Sequence, residues 1–354
     1  MAYSRGSSAV RSEAKAQEPS GSTDPAVVSS VPTVVTLETF TKECVRTQGS
    51  PMNQVARQGM VQVNGTGLFV DERGAESAPP LLYIHGGPGQ SCWDFMAAQG
   101  DRLAERLRVI GVDQRGVLRS ENLPESPVLD VDVLIEDFEA LRTELNIRSW
   151  TILGHSAGAG YALGYATREP RAVDAVMFDC PCWDGDLTDR YRLPLVADML
   201  DAVGKTEAAA TCRKMAQKPE RITVEDEPWV TMQELGAQYM SIFFQQPDGP
   251  DEYRRIEGEG NFTEEQWEKG QSHAVLLAAM YQSQLHRLPQ LSQPSLLLHG
   301  ADDLVTPPAV IEIYRDQVPN GTVHTFDRSG HFAYHEEAKR YGDVVADFVI
   351  AHAR

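Results

Sequence analysis

Between about residues 58 and 180, short continuous apolar runs alternate with stretches of helical spacing. Apolar runs bounded by turn residues predict strands at residues 60–63, 68–71, 81–85, 107–113, 150–153 and 173–178. The pair Asn64-Gly65 between the first two runs is typical of a hairpin turn. Apolar residues with helical spacing predict a helix over residues 131–145, and small residues predict another that ends near residue 167. This alternation predicts a mostly parallel sheet covered by helices on both faces.

The alternation stops after residue 180 and returns after Pro294. Residues 181–289 contain aromatic-rich helical stretches and no clear strand. The returning pattern predicts strands at 295–299 and 322–326 and helices at 309–317 and 336–351. We therefore expect an α/β core in two parts, residues 51–180 and 290–354, with residues 181–289 inserted between them as a helical cap.

Residues 1–50 differ from the rest in composition, being rich in Ser, Ala, Thr, Val and Pro with balanced charges. We expect them to form a flexible or loosely docked leader. No apolar segment follows the first arginines of the leader, so we predict no secretory signal. No run anywhere in the chain approaches the ~20 apolar residues that a membrane span needs. The sequence therefore predicts a cytoplasmic protein.

Composition narrows the class of partner. The chain has 354 residues, 42% of them hydrophobic, with 32 Lys and Arg against 51 Asp and Glu, a net charge of −19. This balance disfavours nucleic acid and anionic membranes, and it favours neutral or cationic small molecules or short peptides. Five scattered cysteines predict reduced thiols instead of a disulfide framework. No metal-binding spacing, phosphate loop or dinucleotide motif occurs, so we predict neither a metal nor a cofactor.

The strongest chemical motif is Gly154-His155-Ser156-Ala157-Gly158, which fits G-x-S-x-G and lies between a predicted strand and a predicted helix. In this setting the serine stands on a sharp turn that exposes its hydroxyl above the sheet. The following helix directs its first N–H groups towards a developing oxyanion. We therefore predict Ser156 as a nucleophile.

A serine nucleophile needs a base and an acid that orients the base. His331 follows the last predicted strand on a short loop, from which it can reach across the top of the sheet, so we predict it as the general base. The acid is expected after the preceding strand, where Asp302 and Asp303 stand side by side. The residues alone leave open which of the two it is.

An oxyanion hole needs a second N–H from the loop that follows the first central strand. The segment His85-Gly86-Gly87-Pro88-Gly89 supplies it, because glycine lets the backbone approach the substrate oxygen. We predict the N–H groups of Gly87 and Ala157 as the donors. Gly86, Trp93 and His155 are candidate substrate-binding residues, because each lies within or just after one of these turns.

Five segments together resemble the proline iminopeptidase family of α/β-hydrolases. They are His85-Gly86-Gly87-Pro88-Gly89, Asp113-Gln114-Arg115-Gly116, the serine turn, Gly300-x-x-Asp303-x-x-x-Pro307 and Gly330-His331. The resemblance spans residues 80–180 and 290–354 and implies an α/β-hydrolase fold with an inserted helical cap. It places the family's acid at Asp303, which completes a triad with Ser156 and His331.

The resemblance also implies a cofactor-free hydrolase of a small amide or peptide with a free N-terminus. Family aminopeptidases bind the substrate amine with cap carboxylates, and this cap offers acidic residues at Glu257, Glu259, Glu264 and Glu265. The sequence departs from the family at His155 and Ala157 of the serine turn, where Gly and Trp are usual, and at Leu118, where a second Gly is usual.

Two alternatives remain open at this point. The same triad would serve an esterase, lactonase or thioesterase on a small hydrophobic acyl substrate, an interpretation that the altered serine turn favours. A scaffold that binds a ligand, or that cyclises one without hydrolysis, is the alternative of another class. The sequence does not indicate an oligomeric state.

Overall fold

A computed structural model describes residues 55–125 and 127–354, so the predicted leader lies outside the described residues. The described strands form one sheet of eight in the order β1-β2-β4-β3-β5-β6-β7-β8. The strands are β1 (Val55–Val63), β2 (Thr66–Gly74), β3 (Pro80–Ile84), β4 (Arg108–Asp113), β5 (Trp150–His155), β6 (Val173–Asp179), β7 (Ser295–Gly300) and β8 (Gly321–Phe326). The pairs β1–β2 and β2–β4 are antiparallel, and every other neighbouring pair is parallel. The predicted mostly parallel sheet is confirmed.

Helices cover the sheet and fill the connection between β6 and β7. They are α1 (Trp93–Phe95), α2 (Asp101–Ala104), α3 (Val131–Glu144), α4 (Ala157–Arg168), α5 (Gly185–Ala202), α6 (Thr206–Ala216), α7 (Pro228–Met232), α8 (Gly249–Glu259), α9 (Glu264–Glu268), α10 (Leu277–Met280), α11 (Pro308–Gln317), α12 (Ala333–Glu336) and α13 (Ala338–His352). A π-helical turn, Met96–Gly100, joins α1 to α2. Short 3₁₀ segments cover Val224–Asp226, Gln233–Ile242, Lys269–Leu276 and Leu285–Gln290.

The N-terminal hairpin is longer than the sequence predicts. Asn64 and Gly65 both have positive φ angles, 45° and 74°, as the tight turn between two paired strands requires. Beyond the predicted run, β2 continues through polar residues because their charges are paired. Asp71 is fully buried and accepts from the Arg73 guanidinium at 2.7 Å. A strand that carries its own ion pair does not show an apolar pattern, and this explains the short prediction.

Side chains of the central strands alternate between two hydrophobic layers. In β3, Leu82 and Ile84 pack in the layer that contains α3 and α4, and Leu81 and Tyr83 pack in the opposite layer. Tyr83 stacks on Phe95 with ring centroids 3.8 Å apart. Both faces are therefore covered, as continuous apolar strands predict.

The connection between β6 and β7 contains helices and turns, and none of its residues, 180–294, is in a strand. Its first helices enclose a small hydrophobic cluster of their own, which includes Leu193, Val196, Leu200 and Cys212. The inserted helical segment is therefore present. The helix predicted over residues 336–351 is present as α13, Ala338–His352, and the short helix α12 before it was not predicted. The backbone at Glu337 (φ −124°, ψ 46°) separates the two.

Candidate active site

Ser156 occupies the turn between β5 and α4 in a strained conformation. Its backbone has φ 54° and ψ −120°, which lies outside the regions that non-glycine residues ordinarily adopt. Its neighbours in the motif are buried, whereas Ser156 itself is partly exposed. The turn thus presents the hydroxyl-bearing residue above the carboxyl end of a central strand, as the motif predicts.

Close backbone contacts explain the glycines of this turn. A Cβ atom on Gly154 would lie 2.4 Å from the carbonyl oxygen of Gly158, and one on Gly158 would lie 2.3 Å from that of Ile84. A Cβ on Gly86 would lie 2.7 Å from the His155 carbonyl oxygen and 3.2 Å from the nitrogen of Ala157. The loop after β3 and the start of α4 therefore approach each other as closely as backbone atoms can.

We expect Gly158→Ala to lower the free energy of unfolding by about 2–3 kcal/mol, because the added methyl group must displace backbone atoms of the loop after β3. Gly258→Ala is the matched control. A Cβ at Gly258, within the exposed part of α8, meets nothing within 4 Å. That substitution should raise stability by up to ~1 kcal/mol, since alanine is the better helix former. Denaturant unfolding of both variants checks the contrast, and equal effects would contradict the packing argument.

His331 and Asp303 form a buried pair above the sheet. The His331 Nδ1 atom lies 2.9 Å from Asp303 Oδ1, and the two residues are 4% and 3% exposed. Asp303 also accepts from the backbone N–H groups of Val305 at 2.9 Å and Thr306 at 3.1 Å. Burial acts to raise the pKa of Asp303, but His331 and these N–H groups outweigh it and hold the pKa well below its ordinary value. Asp303 is therefore a fixed carboxylate that orients the His331 ring.

The adjacent Asp302 lies outside this pair. It is exposed, and its carboxylate accepts from the side-chain amide of Gln245. The sequence left open whether Asp302 or Asp303 is the acid. Asp303, which matches the family pattern, is the one that contacts His331.

A second His–Asp pair, His155 and Asp179, packs against the first. His155 Nδ1 lies 2.9 Å from Asp179 Oδ2, and both residues are almost completely buried. The His155 ring packs against that of His331, with centroids 4.6 Å apart, and Phe243 from the inserted segment packs against His331 at 5.7 Å. The predicted substrate-binding residue His155 is therefore only 1% exposed and packs against His331.

Residues 79–338 match the family model for the alpha/beta hydrolase fold. The chain belongs to this family. A proline iminopeptidase from Heyndrickxia coagulans is 27% identical over 306 residues, which cover 82% of this chain and 98% of that protein. The predicted resemblance to proline iminopeptidases is thereby confirmed, and the protein is a serine hydrolase.

Solved structures agree on the fold of the hydrolase. The proline iminopeptidase-related protein of Thermus thermophilus superposes with a TM-score of 0.68 at 20% identity, over 85% of this chain and 99% of that one. The proline iminopeptidase of Mycobacterium smegmatis gives a TM-score of 0.61 at 21% identity, over 83% and 98% of the two chains. At such identities these structures establish the α/β-hydrolase fold alone.

The glycine-rich loop of the hydrolase is held by the Asp113–Gly116 motif. Gln114 donates its backbone N–H to His85 Nε2 at 3.1 Å and its side-chain amide to the His85 carbonyl oxygen at 2.9 Å. Burial lowers the pKa of His85 to about 4, so its ring is neutral and Nε2 is free to accept. Asp113 is buried and paired with Arg119 at 2.7 Å. This motif therefore supports the loop that contains Gly87, a role that the sequence pattern did not indicate.

Leu118 stands where the family usually has glycine, yet the backbone keeps the turn conformation that glycine favours. Its φ angle is 38°, in the left-handed region that glycine adopts at no steric cost, and its side chain is 2% exposed. Ser120, two residues later, donates to the carbonyl oxygen of Asp113 and accepts from the N–H of Phe69. Burial of the leucine side chain and these hydrogen bonds offset the strain at this position.

The predicted substrate-binding residue Trp93 contacts the inserted segment. Its indole N–H donates to the carbonyl oxygen of Ile256 in α8 at 2.8 Å, and its ring packs edge-on against Phe262 at 5.2 Å. Gln90, just after the glycine-rich loop, donates to the Tyr253 hydroxyl of the same helix at 2.6 Å. The face of α8 that carries these contacts therefore lies against residues just after the glycine-rich loop.

A buried carboxyl group, Asp94 of α1, and a partly buried one, Glu257 of α8, lie beside these contacts. Burial raises the pKa of Asp94 to about 6, and the nearby charge of Glu257 adds to the rise. Asp94 accepts from the Tyr334 hydroxyl at 2.6 Å. Burial likewise raises the pKa of Glu257, which lies one helical turn after Tyr253. Of the four acidic residues singled out in the cap, Glu257 is partly buried, whereas the others are exposed.

Three buried side chains at the His–Asp pair carry atoms of the kind that bind metal ions. Ligand atoms of Cys180, Asp303 and His331 all lie within 4.8 Å of one another. Asp303 and His331 are hydrogen-bonded to each other, and burial raises the pKa of the Cys180 thiol. The absence of a metal or cofactor stays a prediction.

Within residues 55–125 and 127–354, no helix is long and apolar enough to cross a membrane.

Proposed function

We propose that the hydrolase works through an acyl-enzyme on Ser156, with His331 as general base and Asp303 as the orienting acid. The observation that carries the proposal is the buried Nδ1–Oδ1 contact of 2.9 Å between His331 and Asp303. A proton held on Nδ1 by a carboxylate leaves Nε2 as the lone pair that takes the serine proton.

The reaction balances with these residues and water. His331 Nε2 takes the Ser156 proton as Oγ bonds to the substrate carbonyl carbon. The tetrahedral intermediate then expels its leaving group, which takes the proton from His331. Water next loses a proton to His331 and attacks the acyl-enzyme, and the acid product leaves as Ser156 regains its proton. The Asp303 carboxylate stabilises the imidazolium in both halves.

The oxyanion that forms twice in this cycle is assigned to the N–H groups of Gly87 and Ala157. Support comes from the close approach of the two segments, since Gly86 lies against the nitrogen of Ala157. The φ angle of Gly87 is 113°, a conformation that a side chain would strain. Backbone donors fixed by this packing need no reorganisation as charge develops on the substrate oxygen.

We propose a small amide or short peptide with a free N-terminal amine as the substrate. The charge of Glu257 acts on Asp94, so two carboxyl groups lie near each other where α8 packs against Trp93, and the net charge of −19 favours a cationic group. The Heyndrickxia coagulans relative is named a proline iminopeptidase, which supports the same substrate class. Glu257 is the cap carboxylate that we assign to the amine.

A panel of chromogenic substrates tests this assignment. It contains L-prolyl and other aminoacyl p-nitroanilides, their N-acetyl forms, and p-nitrophenyl esters of several chain lengths, with Ser156→Ala as the blank. The proposal predicts Ser156-dependent cleavage of the free-amine anilides and loss of cleavage on acetylation. Cleavage of esters alone would replace it with the esterase or thioesterase function that the residues His155 and Ala157 leave open.

Glu257→Gln is expected to lower kcat/KM for free-amine anilides by about 10- to 100-fold, because a charged hydrogen bond to the ammonium group is lost. Hydrolysis of a p-nitrophenyl ester without an amine should change little. The matched control is Glu259→Gln, which removes an exposed carboxylate from the same helix. Equal losses on anilide and ester, or equal losses in both variants, would contradict an amine-binding role for Glu257.

A further inference from the structure

Two loops meet beside His331, and they come from different parts of the chain. We call residues 243–246 the cap loop and residues 328–331 the base loop. The His331 N–H donates to the Phe243 carbonyl oxygen at 2.8 Å, and the Gln246 side-chain amide donates to the Arg328 carbonyl oxygen at 3.0 Å. The two loops pack so closely that a Cβ on Gly330 would lie 2.7 Å from the Phe243 carbonyl oxygen.

The carboxylate of Glu336 joins the two loops. Its Oε1 accepts from the backbone N–H groups of Gln245 at 2.8 Å and Gln246 at 2.6 Å. Its Oε2 accepts from the backbone N–H of Gly330 at 2.6 Å. One side chain at the end of α12 thus satisfies two donors of the cap loop and one of the base loop, next to His331.

Placing the Glu336 carboxylate away from solvent costs free energy unless hydrogen bonds replace those it would make with water. Glu336 is partly buried, and within the described residues no Lys or Arg forms a salt bridge with it. Its negative charge is therefore balanced by the three N–H groups alone, which is an arrangement of strong, charge-assisted hydrogen bonds. The adjacent Glu337 differs, because it accepts from Arg328 N–H and the Ser329 hydroxyl of the base loop and also pairs with Arg340.

We propose that Glu336 is a positioning residue for the hydrolase reaction, which fixes the base loop to the cap loop and thereby holds the His331 ring in register with Ser156. The proposal rests on the proposed function, since it takes His331 as the base. Glu336 touches no reacting atom and acts through the backbone of Gly330. The inserted segment thus contributes to catalysis through its contact with the base loop.

Glutamine at position 336 cannot replace the carboxylate. An amide has one accepting oxygen, so its NH₂ group must face the N–H groups of either the cap loop or the base loop. The hydrogen bonds to that loop are then lost. The His331 ring is held at 2.9 Å from Asp303, so a small displacement of the base loop changes the geometry on which proton transfer depends.

The test compares Glu336→Gln with Glu312→Gln, which removes an exposed carboxylate paired with Arg315 on α11. The readout is the rate at which a fluorophosphonate labels Ser156 in the full chain, at a temperature where all variants are folded. We expect labelling about 10- to 100-fold slower in Glu336→Gln and unchanged in Glu312→Gln. On a His331→Ala background, Glu336→Gln should cause no further loss, because its effect passes through His331.

Hydrogen exchange gives a readout that does not depend on chemistry at Ser156. Glu336→Gln should exchange faster than the wild type at the amides of Gln245, Gln246 and Gly330, whereas Glu312→Gln should not. Wild-type labelling and exchange rates in Glu336→Gln would overturn the inference. So would an equal loss of labelling on the wild-type and His331→Ala backgrounds. Absence of labelling in the wild type would refute the proposed function instead, and the exchange data would still decide whether Glu336 joins the loops.

Discussion

Replacing Ser156 with alanine is expected to lower kcat by about 10⁴- to 10⁶-fold on every substrate that the wild-type enzyme turns over. The methyl group cannot form the acyl-enzyme, and what remains is the weak catalysis of bound water beside the oxyanion donors. Ser156 is the one strained, partly exposed residue of a motif whose other members are buried. Alanine keeps the Cβ atom, and with it the same backbone strain, so the fold and its stability should survive the change.

The measurement is kcat for the wild type and Ser156→Ala under identical conditions, with denaturant unfolding as the check on folding. The proposed mechanism makes Ser156 and His331 act as a unit, so it predicts that Ser156→Ala/His331→Ala is no slower than either single variant. A residual kcat within tenfold of the wild type, in a variant that is folded, would show that another residue attacks the substrate.

Asp303→Asn is expected to lower kcat by about 10⁴-fold while it leaves the backbone in place. Asparagine can still accept from the Thr306 N–H through its oxygen, but an amide nitrogen in place of Oδ1 would lose the Val305 N–H. Its NH₂ group would then face His331 Nδ1, so the ring would carry its proton on Nε2 and could not take one from serine. The lost carboxylate would also leave the imidazolium of the intermediate uncompensated in a buried site.

The neighbouring Asp302 provides the matched control. Asp302→Asn changes the same chemical group one residue earlier, at an exposed position whose partner is the Gln245 side chain. We expect its kcat to stay close to that of the wild type. Similar losses in both variants would show that the turn as a whole matters, and a larger loss in Asp302→Asn would exchange the roles of the two aspartates.

The sequence could predict the serine turn and the positions of His331 and Asp303 because these features follow local patterns. Ser156 lies on a turn whose glycines are required by contacts within a few residues or with one neighbouring loop. His331 and Asp303 each follow a predicted parallel strand, and the carboxyl ends of such strands meet at one edge of the sheet. Spacing along the chain therefore predicted that His331 and an aspartate of the Asp302–Asp303 pair would meet, and the family resemblance selected Asp303.

Features that depend on long-range polar contacts were missed. The helical segment from Trp93 through Asp101–Ala104 contains buried polar residues, Asp94 and Gln99, and a π-helical turn, so its apolar spacing is irregular. Gln99 donates to the Tyr334 carbonyl oxygen at 2.7 Å, a partner far away in sequence. The junction at Glu336 is similar, since no pattern around residue 336 indicates that cap-loop N–H groups lie opposite it.

The acyl-enzyme is the central claim, and acid-quenched turnover followed by peptide mass spectrometry tests it most directly. The enzyme is mixed with excess p-nitrophenyl ester or aminoacyl anilide, quenched during steady-state turnover, digested and mapped. The account predicts at most one acyl group per chain, attached to the peptide that contains Ser156 and lost when substrate is exhausted. Sustained turnover with no acyl group on Ser156, or with the group on another residue, would contradict it.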